Sequence, residues 1–187
     1  MSCKRIIEYG TAKAGPGEKG TGFIKVGELS DGSPINMPVI ILNGKNPGPR
    51  LLLVALEDGD EYPGALGGLD ACNNVLPDIL DEMNGSVLFL PAVMIDSFRG
   101  NPYGGGHRNS SLDIDQGARP RSPGNPYGKY GAQLGYKVHQ VETDYDPDAI
   151  IKFHGCKQMY GIDVIWCWSA PAGSAHDNFW RAGIIDP

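Results

Sequence analysis

Four carboxylates, Glu57, Asp58, Asp60 and Glu61, fall within five consecutive positions. They follow directly on Leu51-Leu52-Leu53-Val54-Ala55-Leu56, an apolar run too short for a membrane span and without helical periodicity, as expected of a strand covered on both faces. Gly59 permits a tight turn, and Pro63 suits the first turn of a helix. Ligands of open α/β sheets bind at the carboxyl ends of such strands. Negative charge this concentrated repels itself unless something offsets it, and a bound cation would do so. A plainer reading stands beside that one: Asp58 or Asp60 as an N-cap, and Glu61 as a favourable charge in the first helical turn. A third apolar segment, Ala149 to Phe153, runs straight into His154-Gly155, which puts an imidazole in the same kind of position as Asp58 and Glu61. A lone histidine is more often structural than a ligand. Its pairing with an acidic turn makes a metal or catalytic role worth pursuing.

These side chains need a sheet to position them, and the rest of the chain supplies one. Its 187 residues, 41% hydrophobic and 20% charged, suit a single domain with a real core. The net charge of −6 and the lack of a basic cluster argue against a nucleic-acid surface. No apolar run approaches the length of a spanning helix, and Met1 to Gly10 lacks the apolar centre of a signal peptide, so a cytoplasmic protein away from membranes is expected. Cys3, Cys72, Cys156 and Cys167 are too widely spaced for a zinc ribbon and read as reduced thiols. Residues 1 to 48 read as strand-rich: Arg5 to Tyr9, Gly22 to Leu29 and Ile35 to Leu42, with a hairpin turn at Asp31-Gly32. Asn46-Pro47-Gly48-Pro49 reads as a turn into the central strand. A helix follows from Pro63 to Val75, with Gly64, Ala65, Gly67, Gly68 and Ala71 letting it lie close to the sheet. A short helix spans Pro77 to Met83, and the strand Ser86 to Val93 completes a βαβ unit with a parallel pair. Asp96 to Tyr130 is a long segment rich in glycine and proline, of the kind that is usually functional when it interrupts a compact domain. Beyond it come a weak helical pattern from Gln133 to Glu142, a strand from Gly161 to Trp168 and a helix from Ser174 to Arg181.

With those residues in place, the chain resembles the succinylglutamate desuccinylase/aspartoacylase family, relatives of the zinc carboxypeptidases. In that family a strand ends in His-Gly-Asp-Glu, whose His and Glu bind zinc, and the matching residues are Asp58-Gly59-Asp60-Glu61. The family's later Arg, followed by Asp-Leu-Asn-Arg, matches Arg108 and then Asp113-Ile114-Asp115-Gln116, and its Pro-Gly matches Pro123-Gly124. Its third zinc ligand, a His closing a strand in Asp-Leu-His, matches Phe153-His154. The resemblance implies a zinc carboxypeptidase-like α/β fold: a mixed, largely parallel central sheet flanked by helices, with a strand-rich N-terminal part. It implies metal ligands Asp58, Glu61 and His154, Arg108 as the group that steadies a developing oxyanion, and Asp115 and Gln116 beside Arg108 at the substrate. The implied activity is metal-assisted hydrolysis of the amide bond of a small N-acyl, amino-acid-like substrate; no oligomeric state is implied.

Three departures bear on that expectation. Asp58 stands where the family has a zinc-binding His, Asp115 where it has Asn, and Gln116 where an Arg holds a substrate carboxylate. Two carboxylates and one imidazole form a harder donor set, so beside zinc the site is relatively more suited to manganese or iron, and it should be a weaker Lewis acid. Gln116 removes a bidentate fork; Arg119 and Arg121 are available to replace it, although loop arginines are usually only solvated. The family's general-base Glu has no counterpart before Pro187, and relatives continue into a small C-terminal β domain. Residues 1 to 187 are therefore expected to be a single, incomplete catalytic-type domain. Two further readings compete: a catalytically lapsed small-molecule-binding member of the same family, and a cysteine hydrolase using Cys156 beside His154, which lacks an orienting third residue.

Overall fold

The computed structural model describes residues 5–28, 31–57, 62–94, 130–155, 163–168 and 183–184, with side chains for those up to 153 other than 62 and 130. Seven strands form one mixed sheet: β3 (Glu18–Glu28), β4 (Pro34–Asn43), β5 (Asn46–Val54), β6 (Asn84–Leu90), β7 (Ala149–Gly155), β8 (Asp163–Trp168) and β9 (Gly183–Ile184). Their spatial order is β3-β4-β6-β5-β7-β8-β9. The parallel pairs are β5 with β6 and β5 with β7, at the centre, and the outer pairings are antiparallel. Parallel character is confined to the strands that carry the longest apolar runs, since helices cover both of their faces. A separate two-stranded hairpin, β1 (Ile7–Tyr9) and β2 (Ala12–Ala14), lies against β3.

Two apolar layers sandwich the sheet. Helix α2 (Tyr130–Tyr145) covers one face through Leu134, Val138, Val141 and Tyr145, packed with Met37, Leu52, Val54, Leu88 and Ile150. Helix α1 (Tyr62–Asp70) and the turns after it cover the other through Ala65, Cys72 and Leu80, packed with Leu53, Ala55, Leu56 and Phe89. Alternation along β5 sends Leu52 and Val54 to the α2 side and Leu53 to the α1 side, so each successive residue is buried against a different layer. The parallel βαβ unit and both buried central strands are as the sequence predicts.

Three local expectations are corrected. Asn46 to Pro49 is not a free turn but the first part of β5: Asn46 pairs with Asn84, Arg50 pairs with Ser86, and the register shifts between them. The irregularity absorbs two prolines that cannot donate to the ladder. It is braced by Arg5, whose guanidinium donates to Asn43 Oδ1 at 2.6 Å and to the Gly44 carbonyl at 2.9 Å, and by Gly85, whose φ of 88° and approach to Pro49 leave no room for a side chain. The helix expected from Pro63 to Val75 is α-helical only to Asp70 and widens to a π-helical turn at Ala71–Val75. The helix expected at Pro77 to Met83 is a single 3₁₀ turn at Leu76–Ile79. Cys3, Cys156 and the helix expected at Ser174 to Arg181 lie outside the described residues.

Packing against the sheet leaves three weak acids ready to destabilise the fold in alkali. Burial pushes the Tyr145 phenol up to about 12, its hydroxyl sharing a 2.8 Å hydrogen bond with Ser86, and burial aided by Asp144 does the same for Tyr9. Burial also raises the Cys72 thiol to about 11. In each case the unfolded chain loses its proton first. Their contribution is intact below the ordinary values of 9.0 for the thiol and 10.0 for the phenols, and is lost as pH rises through about 11 and 12. Urea midpoints measured from pH 8 upward should fall over that window, and Tyr145→Phe should flatten the fall while lowering stability at pH 8 through loss of the Ser86 hydrogen bond. A pH-independent midpoint would contradict the assignment.

Candidate metal and acyl-hydrolase site

The carboxyl ends of β5 and β7 lie side by side. Val54, the last residue of β5, is in register with Lys152 of β7. Beyond that rung the β7 backbone continues through Phe153 and His154, where His154 pairs with Val164 of β8. Beyond it on the β5 side the chain passes Ala55, Leu56 and Glu57 and re-emerges as α1 at Tyr62. Glu57 and His154 thus lie on the continuations of neighbouring strands. Asp58 and Glu61, the side chain of His154, and Arg108, Asp115 and Gln116 lie outside the described residues. Among the described residues no group of three His, Cys, Asp or Glu is arranged to hold a metal.

The exit from β5 is held in an unusual conformation. Ala55 donates its N–H to the Leu90 carbonyl and accepts from Val93, continuing the contact with β6 for one more residue. Leu56 then adopts φ 55°, a left-handed conformation that costs a bulky residue on the order of 1–3 kcal/mol, while its side chain is buried on the α1 side. Its carbonyl accepts from Met94 at 2.8 Å. The reversal turns Glu57 back against the sheet, where its carboxylate is buried.

Glu57 meets a cation there. Lys152 Nζ, itself buried within β7, lies 3.1 Å from Glu57 Oε1 and 3.2 Å from Glu142 Oε1 of α2. The first contact is a hydrogen bond, and the second is an ion pair without hydrogen-bond geometry. Burial alone would push the Lys152 ammonium down; the charges of Glu142 and Glu57 outweigh it and hold the pKa above the ordinary lysine value. Part of the charge crowding anticipated after β5 is therefore answered by the chain's own ammonium. Sequence reasoning missed this residue by counting Lys152 as one more position of an apolar strand. The signal was present, because a lysine between Ile151 and Phe153 on a buried strand needs an anionic partner.

No family model matches the chain, and no curated protein does. Solved structures do. A succinylglutamate desuccinylase/aspartoacylase from Rhodobacter sphaeroides superposes with a TM-score of 0.58 at 21% identity, covering 74% of this chain and 40% of that one. The chain has that family's fold. A succinylglutamate desuccinylase from Silicibacter sp. TM1040 gives a TM-score of 0.57 at 19% identity over 84% of this chain and 45% of its own. The product-bound ectoine utilization protein EutE (DoeB) from Ruegeria pomeroyi gives 0.56 at 19% identity over 74% and 39%. The present chain thus spans less than half the length of these structures of the succinylglutamate desuccinylase/aspartoacylase fold.

Proposed function

We propose that the chain is the metal-binding part of a deacylase that cleaves the amide bond of a small N-acyl amino-acid-like compound. The observation that supports this reading is the parallel pairing of β5, which runs to Val54 shortly before Glu57, with β7, which carries His154 near its end, in that fold. Asp58, Glu61 and His154 would hold the metal. Two carboxylates and an imidazole are donors that zinc, manganese and iron all accept, so the residue types fit the group. Bound there, the metal would supply Lewis acidity to the scissile carbonyl and to water. Arg108 would stabilise the negative charge that develops on the carbonyl oxygen, and Asp115 and Gln116 would orient the substrate. The neutral Gln116 favours a substrate group that hydrogen-bonds over one that needs a bidentate cation.

The test is carboxylate release from N-acetyl and N-succinyl amino acids by protein stripped of metal and then given zinc, manganese or iron. Weak release that depends on metal and disappears in His154→Ala is expected, since no general-base Glu is identified. Binding of these compounds with the acyl bond left intact would instead support the second reading, a member that has lost catalysis, which the changes at Asp58, Asp115 and Gln116 favour.

A further inference from the structure

Why a lysine should be buried at the end of a central strand is not explained by stability, because an ion pair in such a place is often matched or bettered by apolar side chains of similar volume. Its location offers a reason. Lys152 sits opposite Val54, where β5 ends, and its side chain reaches Glu57, three residues further along the neighbouring strand's chain. Both side chains are nearly inaccessible, at 7% and 6% exposure, so the contact is shielded from solvent and from screening salt. Between Val54 and Glu57 lies the strained Leu56, and strain of this kind persists only where the surroundings over-determine it. Leu56 is held on one side by the Met94 N–H and is followed immediately by the carboxylate that Lys152 grips. Glu142 approaches the same ammonium from α2, a different element that does not lead into the acidic turn.

We propose that Lys152 is a positioning residue: by gripping Glu57 from within β7, its ammonium fixes the conformation of Leu56 and Glu57 in which the chain leaves β5, immediately before Asp58 in the sequence. Glu142 completes the charge balance without sharing that role. The same strand that carries His154 thus also holds Glu57, the residue that precedes Asp58 in the sequence. The consequence for metal affinity rests on the reading of Asp58, Glu61 and His154 as ligands; the consequence for backbone order does not.

The experiment compares Glu57→Gln with Glu142→Gln in the full chain. Each removes one negative charge from the same buried ammonium, so a purely structural role predicts similar effects. Amide hydrogen exchange at Met94, whose N–H bonds the Leu56 carbonyl, measured without metal, should speed up by about tenfold or more in Glu57→Gln, the scale set by a hydrogen bond to a charged group. It should be unchanged in Glu142→Gln. Zinc affinity at a single pH should fall about 10–100-fold in Glu57→Gln, the usual effect of losing an outer partner of a metal site, and stay near the parent value in Glu142→Gln. Lys152→Arg, which keeps the charge, should retain the parent's slow exchange and guards against a glutamine variant that fails to fold. Equal effects of the two glutamine variants, or unchanged exchange in Glu57→Gln, would overturn the proposal. A parent that binds no zinc would end the metal reading while leaving the exchange contrast to decide the role of Lys152.

Discussion

Lys152→Met is expected to destabilise the fold by about 3–5 kcal/mol, the usual consequence of removing one partner from a buried ion pair. Methionine fills much the same volume as the lysine stem, so little of the loss comes from a cavity. It comes from withdrawing the buried ammonium that both Glu57 and Glu142 face. In a domain of this size each kcal/mol moves Tm by about 2–4 °C, so the transition should fall by roughly 6–20 °C in a thermal scan. A companion variant separates the charge from the packing: Lys152→Met combined with Glu57→Gln and Glu142→Gln removes all three charges and should recover most of the loss. A single Lys152→Met that melts within a degree or two of the parent would mean that the buried charges are not paired as described.

Opposite outcomes are expected at neighbouring glycines of α1. Gly64 and Gly68, one turn apart, are the points at which the helix touches the sheet: a Cβ at Gly64 would lie 2.3 Å from Phe153 Cβ, and one at Gly68 would lie 2.4 Å from Phe89 Cζ. Phe89 is fully buried and cannot swing away. Gly64→Ala and Gly68→Ala should therefore each destabilise by about 1–3 kcal/mol through overpacking, despite alanine's better helix propensity. A Cβ at Gly67 meets nothing within 4 Å, so Gly67→Ala should stabilise by about 0.5–1 kcal/mol. Pairing Gly68→Ala with Phe89→Leu tests the contact itself, since the combination should be less harmful than the sum of its parts. Urea denaturation of the four single variants and the double variant gives all the terms. Destabilisation by Gly67→Ala as large as that by Gly68→Ala would place the wrong face of α1 on the sheet.

The central strands were readable because apolar runs without helical period have few other places to go. Leu51 to Leu56 and Ser86 to Val93 lie within or overlap β5 and β6, and the run from Ala149 begins β7. The glycines of α1 were also readable as a close-packing face, although sequence cannot separate Gly67, which faces open space, from Gly64 and Gly68. The hairpin strand β2 escaped because Ala12-Lys13-Ala14 has no β-branched or aromatic residue; what holds it is backbone packed onto backbone at Gly20 and Gly22. The start of β5 escaped because Asn46-Pro47-Gly48-Pro49 has every local mark of a turn, and only the long-range grip of Arg5 and the parallel partner β6 draw it into the sheet. At the candidate site, position was legible and pairing was not. Strand ends can be read from where apolar runs stop, which put the end of β5 shortly before Glu57 and His154 near the end of β7. That Lys152 reaches Glu57 depends on β5 and β7 being neighbours in register, a fact of topology that no local pattern encodes.

Zinc affinity of Asp58 variants tests the central claim most directly. The parent, Asp58→His and Asp58→Ala are titrated in competition with a chromophoric chelator, all at one pH because ligand protonation competes with metal. If Asp58, Glu61 and His154 hold a metal between the ends of β5 and β7, Asp58→His builds a two-imidazole, one-carboxylate site, and affinity should follow the order His above Asp above Ala. An Asp58→Ala protein that binds zinc as tightly as the parent would contradict the account and leave Asp58 as the cap of the helix that follows it.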